Sequence, residues 1–130
     1  FIMQCGLGGL PEQSAGMGVD MSQRVAMFED SLTIMRQLWA GETVNHDRFW
    51  GLKNARIAPL PARDIEVWIG ATAPAAINRT ARLAEGWLGT PSSTPQQAKE
   101  QLNQYRQACA EHQRKPSAVA LRRDIFTQCS

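Results

Sequence analysis

The chain has 130 residues, of which 43% are hydrophobic, 20% charged and 7% aromatic, with a formal net charge of +2 at pH 7. This composition is typical of a globular protein and excludes a collagen-like repeat, a coiled coil and a fully disordered chain. No apolar run approaches the roughly 18 residues of a membrane span, and no basic stripe indicates a nucleic-acid partner. The 3 cysteines form no CxxC pair, which predicts neither a disulfide framework nor a metal site. We therefore expect a protein of the reducing cytoplasm.

The first element is predicted to be a strand. Residues 1–5 are short and apolar, which predicts a buried strand that ends in a loop at the glycines of residues 6–9. We expect this loop to continue to about Asp20, because Gly16 and Gly18 disfavour regular structure.

The next segment has the periodicity of an amphipathic helix with one buried side. Apolar residues recur at steps of 3, 4, 3 and 4, namely Val25, Phe28, Leu32, Met35 and Trp39. Asp20 followed by Gln23 resembles a capping box, and Gly41 suits the end of the helix.

Residues 42–64 are predicted to form a short irregular hairpin or excursion, because their apolar residues are scattered and Pro59 and Pro61 close the segment. Residues 65–69 predict a second strand, which ends at Gly70. Thr72-Ala73-Pro74 then opens a second helix, because proline is well tolerated in a first helical turn. The predicted inner face of this helix consists of Ile77, Thr80, Ala81 and Ala84. Gly86 is predicted to be the C′ residue that ends the helix.

The last third predicts strand, helix and strand. Residues 87–89 form a very short third strand, and Thr94 begins a helix with Pro95 at the first position and Gln97 completing a capping box. The inner stripe of that helix is Ala98, Leu102, Tyr105, Cys109 and His112. Pro116 is expected to end the helix, and residues 119–126 predict a fourth strand.

Alternation of strands and helices predicts βαβ units on a parallel sheet, which places the chain in the α/β class. Four strands and three helices are compatible with a small open sheet. They are equally compatible with half of an eight-stranded barrel, which needs about 250 residues.

Two strand ends are candidate binding segments, because ligands of both architectures gather at the carboxyl ends of the strands. After the first strand, Gly6, Leu7 and Gly8 would let a flat ligand approach the backbone closely, although a plain tight loop explains them as well. After the second strand, Gly70, Ala71, Thr72 and Ala73 precede a helix whose free N–H groups suit a phosphate. The alternative is that Thr72 caps its own helix.

The sequence contains no phosphate loop of the GxxxxGK[ST] type, no GxSxG elbow and no HExxH motif. His112 lies on a helix stripe, where packing is the favoured role, and His46 lies in the excursion, where a solvated loop position is favoured. Glu12 and Asp20 flank the first glycine-rich loop and are expected to be solvated or capping residues rather than ligand contacts. No catalytic residue is assigned.

The segments RVAMFEDSLTIMRQLWAGETVNHDRFW and RIAPLPARDIEVWIGATAPAAINRTARLAEGW resemble the luciferase-like monooxygenase family. The resemblance covers residues 1 to about 126 and rests on an ordered set of positions: Arg24, Glu29, Leu38-Trp39, Gly41, Phe49-Trp50, Pro59, Pro61, residues 67–73 and Gly86-Trp87. Members are flavin- or deazaflavin-dependent oxidoreductases built on a TIM barrel. The resemblance implies FMN as the cofactor, with coenzyme F420 as the alternative.

The resemblance places the cofactor phosphate at the turn after residues 65–69, where backbone groups of Thr72, Ala73, Ala75 and Ala76 would bind it. Many relatives have Gly-Gly in place of Thr72-Ala73, and light-emitting relatives have an acid and a serine. Gly6-Leu7-Gly8 matches the segment that touches the isoalloxazine ring. Some deazaflavin relatives carry an acid directly after that turn; this chain has Gly9, so the acid's role is not transferred.

The resemblance implies that residues 1–130 are a single fragment of a barrel domain, covering about strands 4 to 7, with an excursion at about 42–64. Catalytic residues would then lie before Phe1, and the fragment alone would be inactive. The implied partners are a small organic substrate and, for a monooxygenase, dioxygen, in a homodimer with neither nucleic acid nor membrane. Two alternatives stay open: a barrel subunit that has lost its cofactor, and a small independent phosphate-binding domain.

Overall fold

A computed structural model describes residues 1–115 and 118–124 of the chain. Contacts divide the protein into two compact units, one formed by Phe1–Gly6 with the chain from Ile65 onward, and the other by Leu7–Asp64. The elements in chain order are β1 (Ile2–Cys5), α1 (Pro11–Gly16), a 3₁₀ turn (Met21–Gln23), α2 (Arg24–Trp39), β2 (Val44–His46), β3 (Leu52–Ala55), β4 (Glu66–Gly70), α3 (Pro74–Leu83), β5 (Gly86–Gly89), α4 (Pro95–Glu111) and β6 (Ala118–Leu121).

The first unit is a four-stranded parallel sheet with the strand order β1-β4-β5-β6. The predicted α/β architecture is therefore confirmed. In the register of the sheet, Ile69 pairs with Trp87 and Gly70 pairs with Leu88. The carboxyl ends of neighbouring strands consequently meet at one edge of the sheet, which is the edge where α/β proteins bind ligands.

Helices α3 and α4 pack on each other and on β5, and they enclose the core of this unit. The predicted inner face of α3 is confirmed, because Ile77, Thr80, Ala81 and Ala84 are all buried. Most of the α4 stripe is also confirmed, with Leu102 packed at the margin of the core. The core cluster consists of Ala71, Ile77, Ala81, Trp87, Tyr105, Ala108 and Cys109.

The first strand is more exposed than the sequence predicts, and the last strand is exposed as well. Ile2 of β1 is 43% exposed and Val119 of β6 is 45% exposed, so the prediction of a buried first strand is wrong. Within the described part of the chain, each of these strands lies at an edge of the sheet and pairs with one neighbour, which leaves its side chains less covered. The predicted helix stop at Pro116 is wrong, because α4 ends at Glu111 with His112 as its C-cap. Strand β6 ends at Leu121, so residues 122–124 do not continue the predicted strand, and residues 125 and 126 lie outside the described residues.

The end of α3 differs from the prediction, because Gly86 is not its C′ residue. The helix ends at Leu83 with Ala84 as the C-cap in an extended conformation, and Gly86 is the first residue of β5. A Cβ on Gly86 would lie 2.7 Å from Cδ1 of Trp68 on the neighbouring strand. Close packing of the indole ring, rather than helix termination, therefore requires glycine at this position.

The second unit contains a helix within the predicted loop. Helix α1 (Pro11–Gly16) begins with proline at its first position, and the N–H of Ser14 donates to the carbonyl oxygen of Leu10 at 3.2 Å. Gly16 ends this helix instead of preventing it, and Gly18 follows with a φ of +68°. Six residues are too few to produce a helical apolar period, so pattern analysis misses such a turn.

Asp20 caps a different element from the one predicted. Its side chain accepts a hydrogen bond from the N–H of Ser22 at 2.8 Å and so begins the 3₁₀ turn, while Gln23 precedes α2 without capping it. The hydrogen bonds from the Ser22 backbone and hydroxyl lower the pKa of the exposed Asp20 carboxyl. The predicted stop of α2 is confirmed, because Gly41 follows it with a φ of +80°.

Helix α2 does not have the single buried side that its apolar period predicts. Leu32 and Ile34 are the buried residues, and they lie on nearly opposite sides of the helix, whereas the other predicted stripe residues are half-buried. The predicted hairpin is confirmed, because β2 and β3 pair antiparallel. Asp30 of α2 contacts His46 of β2, with Oδ2 and Nε2 3.3 Å apart.

Candidate functional site

Two glycines lie next to each other where β1 and β4 end. A Cβ built on Gly6 would lie 3.9 Å from the carbonyl oxygen of Gly70, and one on Gly70 would lie 3.8 Å from that of Cys5. These are ordinary contact distances and neither φ is positive, so neither packing nor backbone conformation requires glycine here. The missing side chains instead leave the backbone at this edge accessible to a flat ligand.

The turn after β4 is held by two consecutive residues of β5. The N–H of Ala71 donates to the carbonyl oxygen of Leu88 at 3.4 Å, and the indole Nε1–H of Trp87 donates to the carbonyl oxygen of Ala71 at 2.9 Å. Ala71 and Trp87 are both buried. The path of the chain from the sheet into α3 is therefore fixed from the core side.

The start of α3 has no side-chain cap. Ala73 occupies the N-cap position with φ −76° and ψ 144°, Pro74 is at the first helical position, and the first turn contains no acidic residue. The first amide bonded within the helix is that of Ile77, which donates to the carbonyl oxygen of Ala73 at 2.9 Å. The N–H groups of Ala75 and Ala76 precede it and have no partner within the helix.

This arrangement suits an anionic group. The residues from Thr72 to Ala75 are exposed, so solvent or a ligand can reach the free amides. Unpaired N–H groups and the helix dipole give the start of α3 a partial positive charge that no acidic side chain of its first turn offsets. The residues present therefore fit the phosphate of a nucleotide-like cofactor.

Thr72 does not cap α3. The N-cap is Ala73, and no side chain makes a capping hydrogen bond there, so the alternative role predicted for Thr72 is wrong. The reason is that the helix begins one residue later than a Thr72 cap would require. The exposed hydroxyl of Thr72 is left at the mouth of the turn.

The structure brings most of the predicted binding residues to one edge of the first unit: Gly6, Gly70, Ala71, Thr72, Ala73, Ala75 and Ala76. Leu7 and Gly8 are assigned to the second unit. There Leu7 is half-buried, and Gly8 is exposed with a φ of +67°, a conformation that favours glycine.

The sequence analysis missed a basic pair after β6. The backbone N–H of Arg122 donates to the carbonyl oxygen of Gly89 at 3.2 Å, and Nη1 of Arg123 donates to that of Thr90 at 3.4 Å. Arg122 also pairs with Asp124 at 3.0 Å. Two consecutive arginines within the segment predicted as the fourth strand were the available signal, and they place positive charge just after β6 at the carboxyl edge of the sheet.

The remaining candidates have structural contacts. Nε2 of His112 lies 3.2 Å from Oδ1 of Asn78 on α3. The predicted solvated loop position of His46 is wrong, because His46 is half-buried in β2, where it pairs with Asp30. Glu12 is exposed in the first turn of α1, and Asp20 caps the 3₁₀ turn. Across residues 1–115 and 118–124, no group of three metal-binding side chains could hold an ion, and no helix has the length and apolar character for a membrane crossing.

These features define an α/β protein with a parallel sheet and an uncapped helix start at its carboxyl edge. The sequence model of the family described as luciferase-like monooxygenase matches residues 1–130. The chain therefore belongs to the luciferase-like monooxygenase family, as its resemblance predicts, and its fold is part of that family's TIM barrel.

Two curated relatives show how the chain compares with whole proteins. It is 33% identical over 81 residues to an F420-dependent glucose-6-phosphate dehydrogenase of Microbacterium testaceum (strain StLB037), covering 62% of this chain and 24% of that protein. It is 32% identical over 120 residues to a phthiodiolone/phenolphthiodiolone dimycocerosates ketoreductase of Mycobacterium sp. (strain JLS), covering 88% of this chain and 32% of that protein. The chain thus spans 24% and 32% of the length of these two relatives.

One solved structure confirms the fold. An F420-dependent secondary alcohol dehydrogenase in complex with an F420-acetone adduct superposes with a TM-score of 0.78 at 16% identity. The match covers 92% of this chain and 38% of that chain. At this identity the likeness describes the architecture alone.

Proposed function

We propose that the protein containing this chain is an F420-dependent oxidoreductase and that the start of α3 binds the phosphate of the cofactor. The oxidoreductase family is shown by the match over residues 1–130. Coenzyme F420 is favoured over FMN because the relative from Microbacterium testaceum, 33% identical to this chain, is named as F420-dependent. The sequence-based preference for FMN is accordingly replaced by its F420 alternative.

The observation that carries the proposal is the uncapped start of α3. Helix α4 has a complete capping box, in which the N–H of Gln97 donates to Thr94 Oγ1 at 3.2 Å. Helix α3 has an alanine at the same position and leaves its amides unoccupied by side chains. Free donors at a strand end, beside two glycines that packing does not require, support a bound phosphate ester.

The two glycines where β1 and β4 end support a position for the ring system of the cofactor. We propose that Gly6 and Gly70 provide backbone without side chains against the flat face of the cofactor. When bound, a deazaflavin supplies a hydride to a small organic substrate or accepts one from it. The share of this chain is to bind the phosphate and to leave the strand ends open, and we propose a homodimer for the whole protein.

A titration tests the proposal. Full-length protein is titrated separately with F420 and with FMN, and the change in cofactor fluorescence gives each dissociation constant. We expect F420 to bind at least about tenfold more tightly than FMN, a difference of about 1.4 kcal/mol. Tighter binding of FMN than of F420 would instead identify the protein as a flavin-dependent enzyme. Binding of neither cofactor would favour a barrel subunit without catalytic function.

A further inference from the structure

We infer that Trp87 is a positioning residue that aims the backbone N–H of Thr72 at the cofactor phosphate. The inference rests on the proposed function, because it concerns the same turn. Trp87 lies in β5 rather than in the turn, it is 2% exposed, and it contacts the turn through one hydrogen bond, from its indole Nε1–H to the carbonyl oxygen of Ala71 at 2.9 Å.

The hydrogen bond satisfies two buried groups at once. A buried indole N–H needs an acceptor, and the carbonyl oxygen of Ala71, which lies just beyond the last residue of β4, needs a donor. Breaking the bond would leave both groups unpaired in the core, which carries a desolvation cost. The orientation of the Ala71 carbonyl is therefore strongly specified.

The orientation of this carbonyl also sets the direction of the next amide. In a trans peptide, the C=O of Ala71 and the N–H of Thr72 belong to one plane and point in opposite directions. Because the carbonyl points inward to Trp87, the Thr72 N–H points away from the core. Thr72 and the residues that begin α3 are exposed, and the inference places this amide at the same opening as the first turn of α3.

The indole itself has little freedom. Its ring stacks on Tyr105 of α4 with centroids 5.8 Å apart and an interplanar angle of 28°. A Cβ on Gly89 would come within 3.1 Å of Cη2 of Trp87, so the backbone of β5 lies close to the edge of the ring. Helix α4 thus holds Trp87, and Trp87 holds the turn.

The test compares two tryptophan-to-phenylalanine variants of the full-length protein. Trp87→Phe removes the indole donor to Ala71. Trp68→Phe is the matched control, because the Trp68 indole also donates one hydrogen bond at 2.9 Å, but to the side chain of Glu66 at the other end of β4. Each variant is titrated with F420 and with the corresponding deazaflavin that lacks the phosphate ester.

We expect Trp87→Phe to raise the dissociation constant of F420 by about tenfold, the size of one hydrogen bond to a charged group. The dissociation constant of the phosphate-free deazaflavin should change less than about twofold, because this ligand lacks the group that the Thr72 amide would bind. A general loss of packing would instead weaken both ligands equally. Trp68→Phe should leave the ratio of the two constants as in the parent. Equal weakening of both ligands by Trp87→Phe, or no change in either, would overturn the inference.

A second variant covers the case in which Trp87→Phe does not fold. Thr72→Pro removes the N–H in question at an exposed position, and it should weaken F420 by about tenfold while sparing the phosphate-free ligand. Unchanged F420 binding would refute the inference while the proposed function stands. A parent protein that binds no deazaflavin would refute the proposed function and the inference with it.

Discussion

Thr94 and Gln97 form two reciprocal hydrogen bonds at the start of α4. The N–H of Gln97 donates to Thr94 Oγ1 at 3.2 Å, and the N–H of Thr94 donates to Gln97 Oε1 at 2.9 Å. Helix α3, which packs beside α4, has Ala73 at the corresponding position and no such bond. One unit therefore contains a helix start that side chains close and a helix start that is open.

Introducing an acid at the open helix start should separate stability from binding. Ala73 has the extended conformation of an N-cap, so Ala73→Asp should cap α3 and raise the free energy of unfolding by about 1 kcal/mol. The same carboxylate would repel the phosphate, and the dissociation constant of F420 should rise more than tenfold. Urea denaturation and fluorescence titration measure the two effects.

The neutral variant Ala73→Asn is the control for the charge. It should stabilise α3 by a similar amount, about 1 kcal/mol, and weaken F420 less than Ala73→Asp does, because it competes for the amides without adding charge. An Ala73→Asp protein that binds F420 as tightly as the parent would exclude the phosphate site at α3.

The two threonines should differ in their contribution to stability. Thr94→Ala removes the capping box of α4 and should lower the free energy of unfolding by about 1 kcal/mol. Thr72→Ala removes no cap and should stay within about 0.5 kcal/mol of the parent. Thermal or urea unfolding provides the comparison, and a large loss on Thr72→Ala would show that Thr72 does stabilise the helix start.

Alanine substitutions of Gly86 and Gly70 should have different effects, the first on stability and the second on cofactor binding. Gly86→Ala would place a methyl group 2.7 Å from the Trp68 ring, and we expect a loss of about 1–3 kcal/mol in stability. Gly70→Ala meets nothing closer than 3.8 Å, so it should fold as stably as the parent but bind the cofactor more weakly. Denaturation midpoints and F420 titration test both; normal stability of Gly86→Ala, or normal F420 binding by Gly70→Ala, would contradict the assignment.

Tyr105 should make the protein sensitive to alkaline pH. Burial raises the pKa of its phenol above the ordinary value of 10.0, and the hydroxyl lies near the Cys109 thiol without a hydrogen bond of ordinary geometry. Because the folded-state pKa is the higher one, the stabilising contribution is complete below about pH 10 and is lost as the pH rises above it.

The variant Tyr105→Phe removes this titration while keeping the ring beside Trp87. The difference in unfolding free energy between parent and variant should be constant below about pH 10 and should shift in favour of the variant at higher pH. Denaturant titrations at pH 8, 9, 10 and 11 measure it. A pH-independent difference would show that the phenol ionises as readily in the folded protein as in the unfolded chain.

The sequence predicts those elements whose local chemistry and packing agree. The capping box at Thr94 and the inner face of α3 are confirmed because turn chemistry and apolar period specify them locally. The four parallel strands follow from the alternation of strands and helices. The sequence predicts the turn after β4 in the same way, because a strand, small residues and a proline follow one another along the chain.

The remaining features depend on contacts between residues distant in sequence. The bond from Trp87 to Ala71 spans 16 residues and arises from the register of β4 against β5, which no local pattern encodes. The tight packing of Gly86 on Trp68 has the same origin. The exposure of β1 results from its place at the edge of the sheet, and strand order is a property of the whole fold.

The most direct measurement is the contribution of the phosphate to cofactor affinity. The dissociation constants of F420 and of the phosphate-free deazaflavin are determined for the full-length protein and for Ala73→Asp. We predict that the phosphate tightens binding to the parent by about a hundredfold, as two or more hydrogen bonds to a charged group would, and that Ala73→Asp removes most of this gain. Equal affinities of the parent for the two ligands would contradict a phosphate site at the start of α3.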